Sequence, residues 1–313
     1  MKIRPDLLGK KELYQKKLGS HILTRKDFID DIKTAVKNQS GYAAARIGIS
    51  EQFWMYYPVM LHKEKNKTKR RLFERHLRFH GYLQSGIFPV EPEFYLKYTA
   101  FVLNEMKHID CLGMILDPVI GPEIIRFHHI DNKLIYFKDM IPDRSTPSNP
   151  QNDYLQYFKD KRILLVCPFA HFLKKRAEKE TFERVWSKID KKWFFPKKTD
   201  SVEFPYPFSK ETPEKYDSSL ELFASIENNI KKKTFDIAFI AAGGLTVPLA
   251  SSVKKMGKIA VSLGGDLQVL FGVRGQRWRG KPRWQRDYFN KWWVDTPARY
   301  RPDEPGACNG AYW

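Results

Sequence analysis

Long apolar runs are missing from this sequence. No stretch approaches the roughly 18–20 consecutive apolar residues of a membrane-spanning helix. The opening Met1-Lys2-Ile3-Arg4-Pro5 lacks the apolar core of a secretory signal, so a cytoplasmic protein is expected. Cysteine is scarce: Cys111, Cys167 and Cys308 are too few and too scattered for a disulfide framework or a zinc site. Free buried thiols are expected instead. His76 with His80, and His128 with His129, find no acidic or cysteine partner to complete a ligand set. Neither a G-x-G-x-x-G nor a P-loop spelling occurs, and there is no internal repeat or low-complexity tail.

Acidic residues are in deficit. Lys and Arg number 55 against 36 Asp and Glu, giving a formal net charge of +19. That charge speaks to partners rather than to fold: nucleic acid, an anionic membrane surface and phosphorylated substrates all fit. It is concentrated in Lys63 to Arg78, Lys174 to Arg176, Lys231 to Lys233 and Arg274 to Arg286. The first run interleaves Glu with Lys and Arg and carries Leu72 and Leu77, so part of it reads as a solvated helix face.

The apolar content is sufficient for a core. The 313 residues are 42% hydrophobic and 14% aromatic, with 8 Trp, enough for one large α/β domain or two small ones. Residues 1–40 read as a polar helical segment. Gly41 to Ile49 (GYAAARIGI) reads as a short buried strand, followed by a helix that Ser50 caps and Glu51 complements through the helix dipole. Helices are predicted over Thr68–Leu83 and Phe94–His108, and a strand near Cys111–Leu116. Residues 142–153 (PDRSTPSNPQND) form a loop and the best internal boundary. Ile163 to Cys167 is a continuous apolar run ended by Pro168, the mark of a strand buried on both faces. Residues 170–190 read as helical and 193–216 as a long irregular connection.

The clearest unit lies near the end. Ile237 to Ala241 is an apolar strand, and Gly243-Gly244 a tight turn. A helix follows, with Thr246 as cap, Pro248 in the first turn and Gly257 as stop. Ile259 to Leu263 is the next strand, followed by Gly264-Gly265. This strand–helix–strand order predicts a parallel βαβ unit.

Ligands of open α/β sheets bind beyond the carboxyl ends of the strands. Three loops sit at such ends: Gly48–Glu51, Ala242–Thr246 and Gly264–Gln268. Glycines there let a diphosphate approach the backbone at a helix N-terminus. Glu51 is the acid best placed for catalysis, able to deprotonate an acceptor hydroxyl or to hold a metal on a diphosphate. Arg274 and Arg277 follow the second glycine pair and suit a diphosphate through charge-assisted hydrogen bonds. Trp278, Trp284, Trp292 and Trp293 suit either sugar stacking or a packed flap.

Six blocks in this order span nearly the whole chain: Ala45-Arg46-Ile47-Gly48 with Glu51; Ser85 to Pro89; Arg162 to Phe169; Phe235 to Pro248; Met256 to Trp278; and Gly306 to Trp313. Together they resemble a family of polysaccharide-biosynthesis proteins similar to the glycosyltransferases of the GT-D fold. The resemblance implies an α/β fold: a single Rossmann-like domain over 41–313, with a mostly parallel sheet flanked by helices and an aromatic, basic C-terminal extension. It also implies a nucleotide-sugar donor and a glycan or lipid-linked glycan acceptor. The donor would lie against Arg46, Gly48, Gly243, Gly244, Gly264, Gly265, Gln268, Arg274 and Arg277, with Trp278 and Trp284 on the acceptor side. Glu51 would serve as base or as anchor for donor and metal. The family carries Asp-x-Glu here, and this chain has Ile49 in place of the Asp. One carboxylate is a poor Mg²⁺ or Mn²⁺ site. Two other readings stand beside this one: a basic nucleic-acid-binding protein, for which no recognition motif is present, and another Rossmann-like transferase such as a methyltransferase. Charge alone would also hold the protein near anionic membrane.

Overall fold

Strand alternation divides the core into two layers. In β2 (Tyr42–Ile47), Ala43, Ala45 and Ile47 face one layer and Tyr42 and Ala44 the other. Leu164 and Val166 of β5 (Arg162–Val166) join the first layer, Ile163 and Leu165 the second. In β7 (Ile237–Ile240) the split is Ala238 and Ile240 against Ile237 and Phe239. Strands buried on both faces need helices on both sides, which is why they read as unbroken apolar runs.

The computed structural model describes residues 12–17, 22–192, 196–304 and 306–313. Its main sheet is eight-stranded, in the order β1-β4-β3-β2-β8-β7-β5-β6. The remaining strands are β1 (Ile22–Leu23), β3 (Cys111–Met114), β4 (Lys133–Tyr136), β6 (Lys198–Val202) and β8 (Ile259–Ser262). Every pairing is parallel. The first layer is covered by helices Pro92–Met106, Ser219–Lys231 and Thr246–Lys255. The second is covered by helices Arg25–Asn38 and Ala170–Arg176 and by the C-terminal aromatic segment. This is a Rossmann-like α/β domain. Among the described residues no helix is long and apolar enough to cross a membrane.

The βαβ unit at β7 and β8 forms as expected, and the intervening helix ends with Gly257 at φ +71°, a left-handed turn that glycine adopts without strain. Two caps differ from expectation. The helix Ile49–Met55 starts two residues early, with Gly48 at the cap rather than Ser50. Thr246 lies inside its helix, which is entered through a 3-10 turn at Gly243–Leu245.

Three strands escape the sequence pattern. β6 sits inside the stretch read as irregular (193–195 lie outside the described residues). It is an edge strand whose Lys198, Thr199 and Asp200 are polar and at least partly exposed, so no apolar run marks it. β4 begins on exposed Lys133 and ends on half-buried Tyr136, which leaves only Leu134 and Ile135 as a buried apolar pair, and β1 has two residues, too short for any period to register. Residues 12–17 and Arg25–Asn38 are helical, while residues 1–11 and 18–21 lie outside the described residues. A line drawn at residue 40 separates elements of one sheet and one core. Ile22 pairs with Leu134, and Phe28, Ile29, Ile32 and Ala35 are buried.

Candidate active site

The carboxyl ends of β2, β5, β6, β7 and β8 open into one cavity of about 420 Å³. The three glycine-bearing loops converge there. Gly48, Ile49, Ser50 and Glu51 line it from β2, Ala242, Gly243 and Thr246 from β7, and Gly264, Gly265 and Gln268 from β8. Gly243 and Gly264 both hold φ +52°, a conformation that costs other residues about 1–2 kcal/mol. The backbone thereby turns sharply at the strand end and faces the cavity directly.

Glu51 folds back along its own helix start. A Cβ on Gly48 would stand 2.5 Å from its Oε2, so the absence of a side chain at Gly48 makes room for this carboxylate. Burial pushes the Glu51 carboxyl above its ordinary value, against the lowering pull of the Glu51 backbone N–H, the Ser85 hydroxyl, the Gly48 N–H and the Arg46 charge. A carboxylate whose proton affinity is raised in a cleft is suited to general-base work. Two polar atoms on the same side, Gln84 Nε2 and Tyr206 OH, are buried without a hydrogen-bond partner among the described residues. Their residues line the cavity. Buried polar atoms are rarely left so in folded proteins, and at a cleft they mark where a ligand supplies the partner. Aromatic surface completes this side: Phe204, Tyr206 and Phe208, with the Tyr206 and Phe208 rings stacked at 5.2 Å.

The opposite wall is already neutralised. Asp266, in the first turn after β8, is buried and pairs with Arg46 at 2.9 Å and Arg144 at 3.0 Å. Burial alone would raise Asp266, but Arg144 and Arg46 hold its carboxyl below the ordinary value. Arg46 also donates to the Leu263 carbonyl and lies over the Phe137 ring. It lines the cavity as a positioned wall. Gln268 does likewise: its Nε2 donates to the carbonyls of Val273 and Tyr312.

Other expected site residues are placed differently. Gly244 does not line the cavity. Its N–H donates to the Ser85 carbonyl and it packs against Ile87. Arg274 pairs with Asp295 at 2.9 Å, away from the cavity, whereas Arg277 lines it with no acidic partner among the described residues. The Arg277 guanidinium lies 5.0 Å from the Tyr312 ring centre. Trp278 is buried behind Gly265 and Tyr312, and Trp284 packs among Tyr288, Phe289 and Trp293. Neither tryptophan borders the cavity, because this aromatic segment covers a sheet face. Sequence reading missed Gln84, Tyr206 and Tyr312 as cavity residues, and Asp266, inside the Gly264–Gln268 loop, as the acid that holds Arg46. The blocks Ser85 to Pro89 and Gly306 to Trp313 held the only signal for that side, and nothing in their composition assigned a role.

The three thiols are buried and free. Cys308 borders the cavity, but burial pushes its thiol up to about 12, which leaves it an unreactive wall residue. No group of three His, Cys, Asp or Glu able to hold a metal occurs among the described residues. A broader depression of about 670 Å³, lined by His171, Lys174, Lys175, Lys179 and Thr199, lies toward the amino end of β6. That is the wrong edge of the sheet for the chemistry of this fold. No family model, no curated protein and no solved structure matches this chain.

Proposed function

We propose that the protein is a glycosyltransferase that uses a nucleotide-sugar donor. The observation that carries this reading is the convergence of Glu51, four glycines and Arg277, which has no acidic partner among the described residues, on one cavity at the carboxyl edge of a parallel sheet. The donor diphosphate lies against the backbone at Gly243, Gly264 and Gly265, and Arg277 offsets its charge. Glu51 takes the proton of an acceptor hydroxyl. The acceptor oxygen then bonds the anomeric carbon, and the nucleoside diphosphate leaves with the electrons of the broken C–O bond. A glycan or lipid-linked glycan is the acceptor. Mg²⁺ or Mn²⁺ does not fit this site. Ile49 carries no ligand atom, Asp266 is held by two arginines, and Glu51 alone remains. No step is assigned to a metal.

The test is release of nucleoside diphosphate from a panel of nucleotide sugars in the presence of glycan acceptors. Turnover of one donor that falls by on the order of 10²–10⁴ in Glu51→Gln, with donor affinity kept, is the expected result. Equal turnover in Glu51→Gln, or none with any donor, would remove the proposal.

A further inference from the structure

The helix Lys67–Leu77 and its continuation Arg78–Gln84 carry a basic face of which only Lys69, paired with Glu64, and Arg70, bonded to the Glu64 and Leu61 carbonyls, are held by the fold among the described residues. Arg70, Phe73, Glu74, Leu77 and His80 turn inward or sideways, as their burial shows, while Thr68, Arg71, Leu72, Arg75 and Phe79 are exposed. Positions 72 and 79 are two helical turns apart and so share a face. Leu72 is 56% exposed and Phe79 38%, with Arg71, Arg75 and Arg78 around them. Lys65, Lys67, Arg71, Arg75 and Arg78 make no ion pair among the described residues. The other long basic run is different. Arg274 and Arg279 both meet Asp295, and Arg283 and Arg286 both meet Asp287. The two runs look alike in sequence, yet the second shares two aspartates among four of its arginines and turns Arg277 to the cavity, whereas the first sets its arginines around the exposed Leu72 and Phe79.

This face also leads to the cavity. Phe79 packs edge-on against His80, whose Nδ1 lies 3.4 Å from Ser50 Oγ. Ser50 and its neighbour Ile49, 55% exposed, line the cavity mouth, as do Gln84 and Ser85 at the end of the same helical stretch. We infer that the Lys67–Phe79 face docks on an anionic lipid bilayer, with the arginines at the headgroups, Leu72 and Phe79 in the interface, and the cavity mouth beside that surface. The two exposed apolar side chains favour lipid over nucleic acid. A phosphodiester backbone rewards the arginines but offers those side chains no apolar phase. The inference stands independently of the sugar-transfer reading, because it rests on a different surface and its readout is partitioning.

The experiment is cosedimentation of the full chain with vesicles of phosphatidylcholine alone or mixed with phosphatidylglycerol, beside a short duplex and a single-stranded oligonucleotide as competing ligands. Binding is expected to the anionic vesicles only, and to fall as salt rises. Arg71→Glu with Arg75→Glu and Arg78→Glu should lower partitioning by on the order of a hundredfold or more. Leu72→Ser with Phe79→Ser, which leaves charge unchanged and alters only exposed side chains, should lower vesicle binding by roughly tenfold while any oligonucleotide binding stays the same. Melting temperature controls for folding, and the serine pair keeps the test open if the charge reversals unfold the helix. Failure to sediment with anionic vesicles, sedimentation unaffected by the serine pair, or binding to oligonucleotide with vesicles left untouched would overturn the inference.

Discussion

The two walls of the cavity are built from similar residue types and reach opposite states. On one side, Arg46 and Arg144 both pair with Asp266, and Gln268 is held by two carbonyls. On the other side, Gln84 and Tyr206 keep polar atoms without partners among the described residues, and Glu51 holds a carboxyl that burial has pushed up. Charges bound to each other make a wall, while polar atoms left open at a cleft make a binding face. Arg274 and Arg277 repeat the contrast three residues apart, one paired to Asp295 and the other aimed into the cavity. Residue type alone therefore says little about which acid or base contacts a ligand.

The largest expected effect sharpens that contrast. Glu51→Gln should remove turnover while leaving the fold intact. Because the raised carboxyl makes the native state bind protons more tightly than the unfolded chain, ionised Glu51 weakens the fold. That loss develops as pH rises from the ordinary glutamate value to the raised one. Melting curves across pH should show the glutamine variant free of this loss. The opposite wall should respond in the opposite sense. Asp266→Asn leaves Arg46 and Arg144 facing each other without a counter-charge, and a loss of about 3–5 kcal/mol in denaturant unfolding is expected. Asp266 stabilises fully above the ordinary aspartate value, and its contribution disappears as pH falls through its lowered one. If the glutamine variant unfolds and the asparagine variant does not, the two walls have been assigned the wrong way round.

Smaller effects separate residues that the sequence presents as equals. Arg277→Ala should weaken nucleoside diphosphate binding roughly ten- to hundredfold, in line with loss of a charged hydrogen bond. Arg274→Ala should leave binding unchanged and cost less than about 1 kcal/mol, as for an exposed ion pair. Titration calorimetry on both variants measures the difference. The two glycine turns differ more finely. A Cβ at Gly243 would meet the Ser85 carbonyl oxygen at 2.6 Å, whereas at Gly264 the nearest atom is 3.9 Å away on Arg46. Gly264→Ala should cost about 1–2 kcal/mol from its left-handed backbone alone. Gly243→Ala should cost measurably more in the same unfolding experiment.

Much of the architecture was legible because buried parallel strands write themselves as apolar runs. Ile163 to Val166 and Ile237 to Ile240 are examples, and the glycine pairs punctuate the strand ends. The Gly48, Gly243 and Gly264 loops converge because their strands are parallel, so their meeting followed once the βαβ unit was recognised. β6 was hidden because an edge strand needs only one apolar face, and β1 because two residues carry no period. The site was legible in its backbone and in Glu51, and less so in its side chains. Asp266 reads as an ordinary first-turn acid until two arginines from distant segments, Arg46 and Arg144, are seen to close on it. Trp278 and Trp284 were drawn toward a sugar by residue type, yet they pack the second layer. Tyr206 and Gln84 gain meaning only from the partners they lack.

The decisive measurement is thermal unfolding in excess chelator against individual nucleoside diphosphates, for the wild type and Arg277→Ala. Binding to the native state alone raises stability with the logarithm of ligand concentration. Saturable stabilisation by one nucleoside diphosphate, unchanged by removing divalent cations and shifted roughly ten- to hundredfold to higher ligand concentration in Arg277→Ala, is the expected result. Stabilisation by none of them, or stabilisation that needs Mn²⁺ or keeps its concentration dependence in Arg277→Ala, would contradict a metal-free diphosphate site at the carboxyl edge of this sheet.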